Sequence, residues 1–295
     1  MRGRFSILDP RPMALDLSAV GFETDPFYFE YDWKACALYA LGVGALREEL
    51  DYLYEGRGPK VVPSFAVVPT YPALVPLVEK AGADMTKVVH GSQSIFLHAE
   101  IPPQARLRTV ARLSGIYDLK RLSQVVFATR SYIDGTDQLL CETEWTLIIR
   151  DTGGFGGPRP PKAHLPKAMG EDQAPLFQIE DSISREQALL YRLSGDLNPL
   201  HADPDFAREV GFEQGPLLHG LATYGFVTRA LLRGVPELAS GQVSLQSLQL
   251  QFKKPVWPGE VLRTVGQRGA NQSVLVTSYA GGRDEAVAQG FATFK

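Results

Sequence analysis

With 295 residues, 44% hydrophobic and 21% charged, the chain has an ordinary globular composition, enough for one large domain or two of average size. A net charge of −3 offers no broad basic field to nucleic acid or an anionic membrane, and no apolar run reaches membrane-spanning length. Cys36 and Cys141 sit in apolar surroundings without CxxC or histidine spacing and read as reduced core thiols. The start MRGRFSILDPRPM lacks a sustained apolar core and the end FATFK is not a Ser-Lys-Leu signal, so a cytoplasmic protein is expected.

In chain order, the first predicted element is a helix over 33–54. A proline-spaced region follows from Val61 to Pro76, then strands over 91–101, 107–118, 123–134 and 139–150, with Asp134-Gly135 at a turn between the last two. Residues 151–178, rich in Gly, Pro and charge, read as a linker that separates a domain at 1–150 from one at 179–295. Ser184 and Gln187 fit a capping box at the start of a helix whose apolar face is Ala188, Leu189, Tyr191 and Leu193. Ser194-Gly195 ends it. Asp203 caps the next helix, with Pro204 at its first position and Gly211 at its close. The segment 219–232 is hydrophobic on nearly every side and predicts a buried helix. The period then changes to two through Val243, Leu245, Leu248, Leu250 and Phe252, with a slip near Ser247 that suggests a bulge. Further strands are predicted over 260–267, 273–281 and 286–295. Both halves run from helix to antiparallel strands, an α+β order that suggests a duplicated unit.

Residues 191–207 read YRLSGDLNPLHADPDFA and place Asp196, Asn198 and His201 on one short segment. Gly195 permits a sharp turn, while Pro199 fixes its own φ and pushes Asn198 toward extended backbone. A carboxylate and an imidazole on such a constrained loop can share one water, the arrangement that general acid–base chemistry requires. Turn and cap formation is the competing explanation, and for Asp203 it suffices. The spacing fits no common zinc pattern, and the chain has no G-x-S-x-G nucleophile elbow. Gly220 opens the buried helix. Its N–H either meets a substrate oxygen at the helix N-terminus, or the glycine only allows close packing.

The string from Tyr191 to Ala207 resembles the motif of the (R)-specific 2-enoyl-CoA hydratases, the hydratase 2 family of the MaoC-like group. LLHGLATYGF (217–226) and QFKKPVWPGEVL (251–262) are similar to that family's central-helix entry and following strand. In the N-terminal half, YALGVGA (39–45), VVPSFAVVP (61–69), VVHGSQ (88–93) and GGFGG (153–157) resemble the two-hot-dog hydratase unit of peroxisomal multifunctional enzyme type 2. The resemblance implies a double hot-dog, each half a bent antiparallel sheet around a helix, with a catalytic C-terminal half and an N-terminal half that shapes the acyl pocket. It implies Asp196 and His201 as the catalytic pair, Asn198 as their orienting neighbour and Gly220 as the oxyanion donor. His90, Gly91, Lys120 and Phe252 fall on acyl-CoA contacts.

The activity so implied is reversible hydration of trans-2-enoyl-CoA to (3R)-3-hydroxyacyl-CoA. It calls for no metal and no cofactor beyond the CoA carried by the substrate, and for a homodimer without nucleic-acid or membrane partners. A dehydratase of sterol side-chain, branched or dicarboxylic acyl-CoA, a hot-dog thioesterase and an acyl-CoA-binding protein are the alternatives.

Overall fold

The structure, a computed structural model, describes residues 15–162, 166 and 174–295, so the N-terminal stretch used for localisation lies outside the described residues. The first half begins with β1 (Phe27–Tyr31) and α1 (Trp33–Gly42), where Asp32 caps α1 by accepting from the N–H groups of Lys34 and Ala35. The helix expected over 33–54 breaks after α1. Gly44 turns the chain with φ +82°, and only a short α2 (Leu50–Leu53) follows. The run 63–80 is helical but segmented. Pro63, Pro69, Pro72 and Pro76 each lack an N–H, so 3-10 turns alternate with α3 (Val67–Thr70) and α4 (Val75–Lys80). Four long strands complete this half: β2 (Val88–Leu97), β3 (Ala105–Asp118), β4 (Leu122–Ile133) and β5 (Leu139–Arg150).

The second half repeats the order: β6 (Phe177–Ser182), α5 (Gln187–Tyr191), α6 (Pro204–Glu209), α7 (Gly220–Gly234), α8 (Pro236–Ala239), then β7 (Leu245–Phe252), β8 (Val261–Gly269), β9 (Ser273–Ala280) and β10 (Ala288–Phe294). Asp203 caps α6 as expected, with Pro204 at its first position and Gly211 closing it at φ +96°. The slip near Ser247 is a register shift in the β7–β10 pairing, where Ser247 faces Thr293 and Leu245 faces Phe294.

All ten strands form one antiparallel sheet in the order β1-β3-β4-β5-β2-β7-β10-β9-β8-β6. Read from the centre outward, the two sides are equivalent: β2 matches β7, β5 matches β10, β4 matches β9, β3 matches β8 and β1 matches β6. This is the double hot-dog, and the β2–β7 pairing from Ser92↔Gln251 to Phe96↔Ser247 joins its halves. α7 is buried from Leu221 to Leu231, and its Tyr224 hydroxyl donates to Leu248 O at 2.6 Å. Cys36 and Cys141 are buried free thiols whose pKa burial raises to about 12, in keeping with core thiols.

Two further local expectations are corrected. Ser184 does not cap α5. Glu186 occupies that position without a side-chain bond, and the Gln187 amide instead donates to the carbonyls of Leu41 (2.9 Å) and Gly42 (2.7 Å) at the end of α1. Carbonyls at a helix end lack the next turn's N–H donors, and here the buried amide supplies one to Gly42 O and adds a second to Leu41 O, which also accepts the Gly44 N–H. The expected linker over 151–178 is in part bound structure. The N–H groups of Gly154 and Gly156 donate to the Asp118 carboxylate at 2.9 and 2.8 Å, and Phe177 already belongs to β6. Those donors hold the Asp118 carboxyl below its ordinary range.

Candidate active site

The loop between α5 and α6 is built by its own short-range bonds. Gly195 has φ +124° and ψ −22°, a backbone region that a side chain would strain. The chain reverses there and presents Asp196, whose Oδ1 accepts the Asn198 N–H at 3.2 Å. Asn198 is extended ahead of Pro199, with ψ 125°. Its own Oδ1 accepts the Leu200 N–H at 3.0 Å and so caps the 3-10 turn Pro199–His201. Asn198 therefore holds the turn that carries His201.

His201 Nδ1 lies 3.0 Å from Leu217 O. A carbonyl can only accept, so Nδ1 carries the proton and Nε2 keeps its lone pair. Burial lowers the His201 pKa from 6.5, against the opposing pull of the Asp196 charge and the Leu217 carbonyl. A neutral imidazole with an open lone pair is a ready general base.

His219 supports this pair. Its Nε2 donates to the Asp196 backbone carbonyl at 3.1 Å, and its ring stacks on His201 with centroids 3.6 Å apart and planes 25° apart. Burial, then the neighbouring His201, pushes its pKa down to about 2, so it remains neutral. Asp196, His201 and His219 offer three ligand-type atoms within 4.8 Å of one another, so a third group does lie close to the Asp–His pair.

Gly220 is the first residue of α7, and among the described residues no acceptor takes its N–H. The Phe252 ring lies 3.5 Å from where a Gly220 side chain would begin. Asp196, Asn198, His201 and Gly220 all face one cavity of about 590 Å³ between the two halves. Tyr71, Trp145, His90 and Phe252 make its aromatic wall. His90 stacks on Trp145 (5.5 Å, 7°) and meets Phe252 edge-on at 5.0 Å. Val75, Val78, Met85 and Leu147 extend the lining with apolar surface. His90 Nε2 donates to Ser92 O at 3.0 Å, and burial lowers its pKa to about 4. A smaller cavity of about 340 Å³ touches His201 from the side of Arg185, Pro216 and Trp257.

Six of the eight expected site residues therefore share the cavity lining. Gly91 does not line it. It sits at the bulge between His90 and Ser92, where a side chain would meet Ile148 Cγ1 at 2.8 Å. Lys120 is also apart, exposed on the β3–β4 turn at φ +75° with its N–H on Asp118 Oδ1 at 2.7 Å. Sequence reasoning gave no role to Tyr71, Trp145 or His219. His219 was within reach, since it directly precedes Gly220; Tyr71 and Trp145 carry no local pattern.

An apolar cavity between two hot-dog halves, with a carboxylate, a neutral imidazole and a helix N-terminus on one wall, defines a hydratase or dehydratase of the double hot-dog class. Residues 29–151 match the family model of the MFE-2 hydratase 2 N-terminal domain and residues 167–289 that of the MaoC like domain. The chain is 37% identical over 283 residues to 3-hydroxyacyl-thioester dehydratase Y of Mycobacterium tuberculosis, covering 94% of this chain and 96% of that protein. Among solved structures, it is similar to a MaoC-like dehydratase from Phytophthora capsici (TM-score 0.80, 24% identity, 95% of this chain and 98% of that one). It is also similar to the full-length peroxisomal multifunctional enzyme type 2 of Drosophila melanogaster (TM-score 0.75, 28% identity, 92% of this chain and 48% of that one). The chain belongs to the hydratase 2 and MaoC-like dehydratase family, and it is an enzyme, a hydro-lyase.

Proposed function

We propose that the protein catalyses reversible hydration of trans-2-enoyl-CoA to (3R)-3-hydroxyacyl-CoA. The observation that carries this reading is the convergence of Asp196, His201 and Gly220 on one wall of a single apolar cavity. Asp196 and His201 hold a water beside C3. His201 Nε2 takes one proton as the water oxygen bonds to C3, and the displaced π electrons move through C2 to the thioester oxygen. That oxygen lies against the Gly220 N–H at the positive end of α7, a donor worth about 3–4 kcal/mol in related oxyanion sites. The enolate collapses as C2 takes a proton from the Asp196–His201 pair, on the face that received the hydroxyl. Every atom added comes from one water and the addition is redox-neutral, so the step needs no redox cofactor. The apolar remainder of the cavity takes the acyl chain. An intact set of Asp196, Asn198 and His201 favours this reading over acyl-CoA binding without turnover.

The test is hydration of crotonyl-CoA and longer enoyl-CoA substrates, followed as loss of enoyl absorbance, with chiral analysis of the product. Asp196→Asn and His201→Ala each reduce turnover by about 10²–10⁴-fold, the usual worth of a general acid–base group, while the protein stays folded. Near-normal turnover in either variant, or an (S) product, overturns the reading. Release of free CoA in place of hydration identifies a thioesterase.

A further inference from the structure

Tyr71 stands outside every motif, yet its hydroxyl lies 3.4 Å from Asp196 Oδ1, across 125 positions of sequence. It opens the 3-10 turn Tyr71–Leu74 in the proline-broken run of the N-terminal half, and its ring rests on Trp145 at 5.9 Å. Burial, reinforced by the Asp196 charge, raises the phenol pKa well above its ordinary value. The hydroxyl keeps its proton and can only donate to the carboxylate. Oδ1 thereby receives two protein donors, the Tyr71 hydroxyl and the Asn198 N–H, from opposite halves of the molecule. Among the described residues Oδ2 receives none.

We propose that Tyr71 is a positioning residue for the reaction: it fixes the carboxylate of Asp196 so that Oδ2, and not Oδ1, faces the reacting water. The proposal rests on the hydration reading and deepens it. The half that lacks the acid–base string then does more than shape the acyl pocket, because it supplies the second anchor of the catalytic carboxylate. A phenol suits this role, being a neutral donor on a rigid ring whose packing on Trp145 leaves it little freedom to lose.

Tyr71→Phe keeps the ring and the cavity wall and removes only the donor. It lowers kcat by about 10- to 100-fold, the range expected for a hydrogen bond to a charged group, while KM changes by less than about threefold. A residue that merely shaped the pocket would show the reverse split. A double-mutant cycle adds a second reading: in an Asp196→Ala background, Tyr71→Phe costs nothing further, because its effect passes through the carboxylate. Wild-type kcat in Tyr71→Phe, or losses that multiply in the double variant, overturns the proposal. Full activity in Asp196→Ala overturns instead the hydration reading beneath it, so the two failures are distinguishable. Unchanged urea midpoints show that each variant is folded.

Discussion

The proposed chemistry at the residue scale rests on one imidazole being neutral and facing the right way. Leu217 O fixes the His201 tautomer, and burial sets its charge. The sign for pH follows directly. A histidine whose pKa is pushed below 6.5 stays neutral as the solution is acidified past that value and gains its proton only lower. The acidic limb of the kcat/KM profile for enoyl-CoA hydration therefore lies below pH 6.5, with activity flat from there to neutrality. A limb at or above 6.5 would show that His201 is not held neutral by burial. His219 remains neutral throughout this range, since its own pKa lies near 2. It contributes as a flat platform behind His201 and a tether to the Asp196 backbone, not as a second base.

At the scale of elements, the loop that carries Asp196, Asn198 and His201 holds their side chains off any regular α-helix, and Gly195 is its turning point. A side chain at Gly195 meets nothing within 4 Å, so Gly195→Ala introduces backbone strain without a clash. Such strain costs on the order of 1–3 kcal/mol, and the loop relieves it by moving Asp196. Turnover in Gly195→Ala falls about 100-fold or more, as expected for a displacement of about 1 Å. Gly241, at φ +73° with equally open surroundings after α8, is the control. Gly241→Ala carries a comparable loss of stability in urea unfolding and keeps its turnover. Equal activity losses in the two variants would separate the loop from catalysis. This loop was also the most legible part of the molecule. Its geometry is imposed by Gly195, Pro199 and two Asx-type bonds within a few residues, all readable from neighbours in sequence. The long strands β3, β4 and β5 were legible for the same reason, through alternation of side chains. The edge strands β1 and β6 are too short to show a period, and the break after α1 depends on Gly44 in a stretch that otherwise reads as helix. Tyr71 and Trp145 reach Asp196 and His90 only because the sheet closes, and no local pattern encodes that. Gln187 shows the same limit: its capping partner turned out to be α1, which only packing brings near.

For the whole molecule, the pairing of halves decides stability. Separating them would leave β2 and β7 as long unpaired edges and open a core cluster that draws residues from both sides. Arg229 of α7 reinforces the join. It is fully buried, pairs with Glu49 before α2, donates to Val43 O at 3.0 Å and lies 3.6 Å from Asp181 in β6. One cation thus faces a carboxylate from each half; without it the half-buried Glu49 loses its cation, while Asp181 keeps Arg233 at 2.6 Å. The expected result is a single urea transition in which far-UV and near-UV circular dichroism and enzymatic activity disappear together. Arg229→Ala moves that whole transition to lower urea, by about 1.5–3 kcal/mol of stability, the worth of its hydrogen bonds to a charged partner, without splitting it. Separate melting of one half, in either protein, would show that the central pairing does not make them one cooperative unit. That unity also bears on the proposed role of Tyr71, because a half able to open alone would carry it away from Asp196.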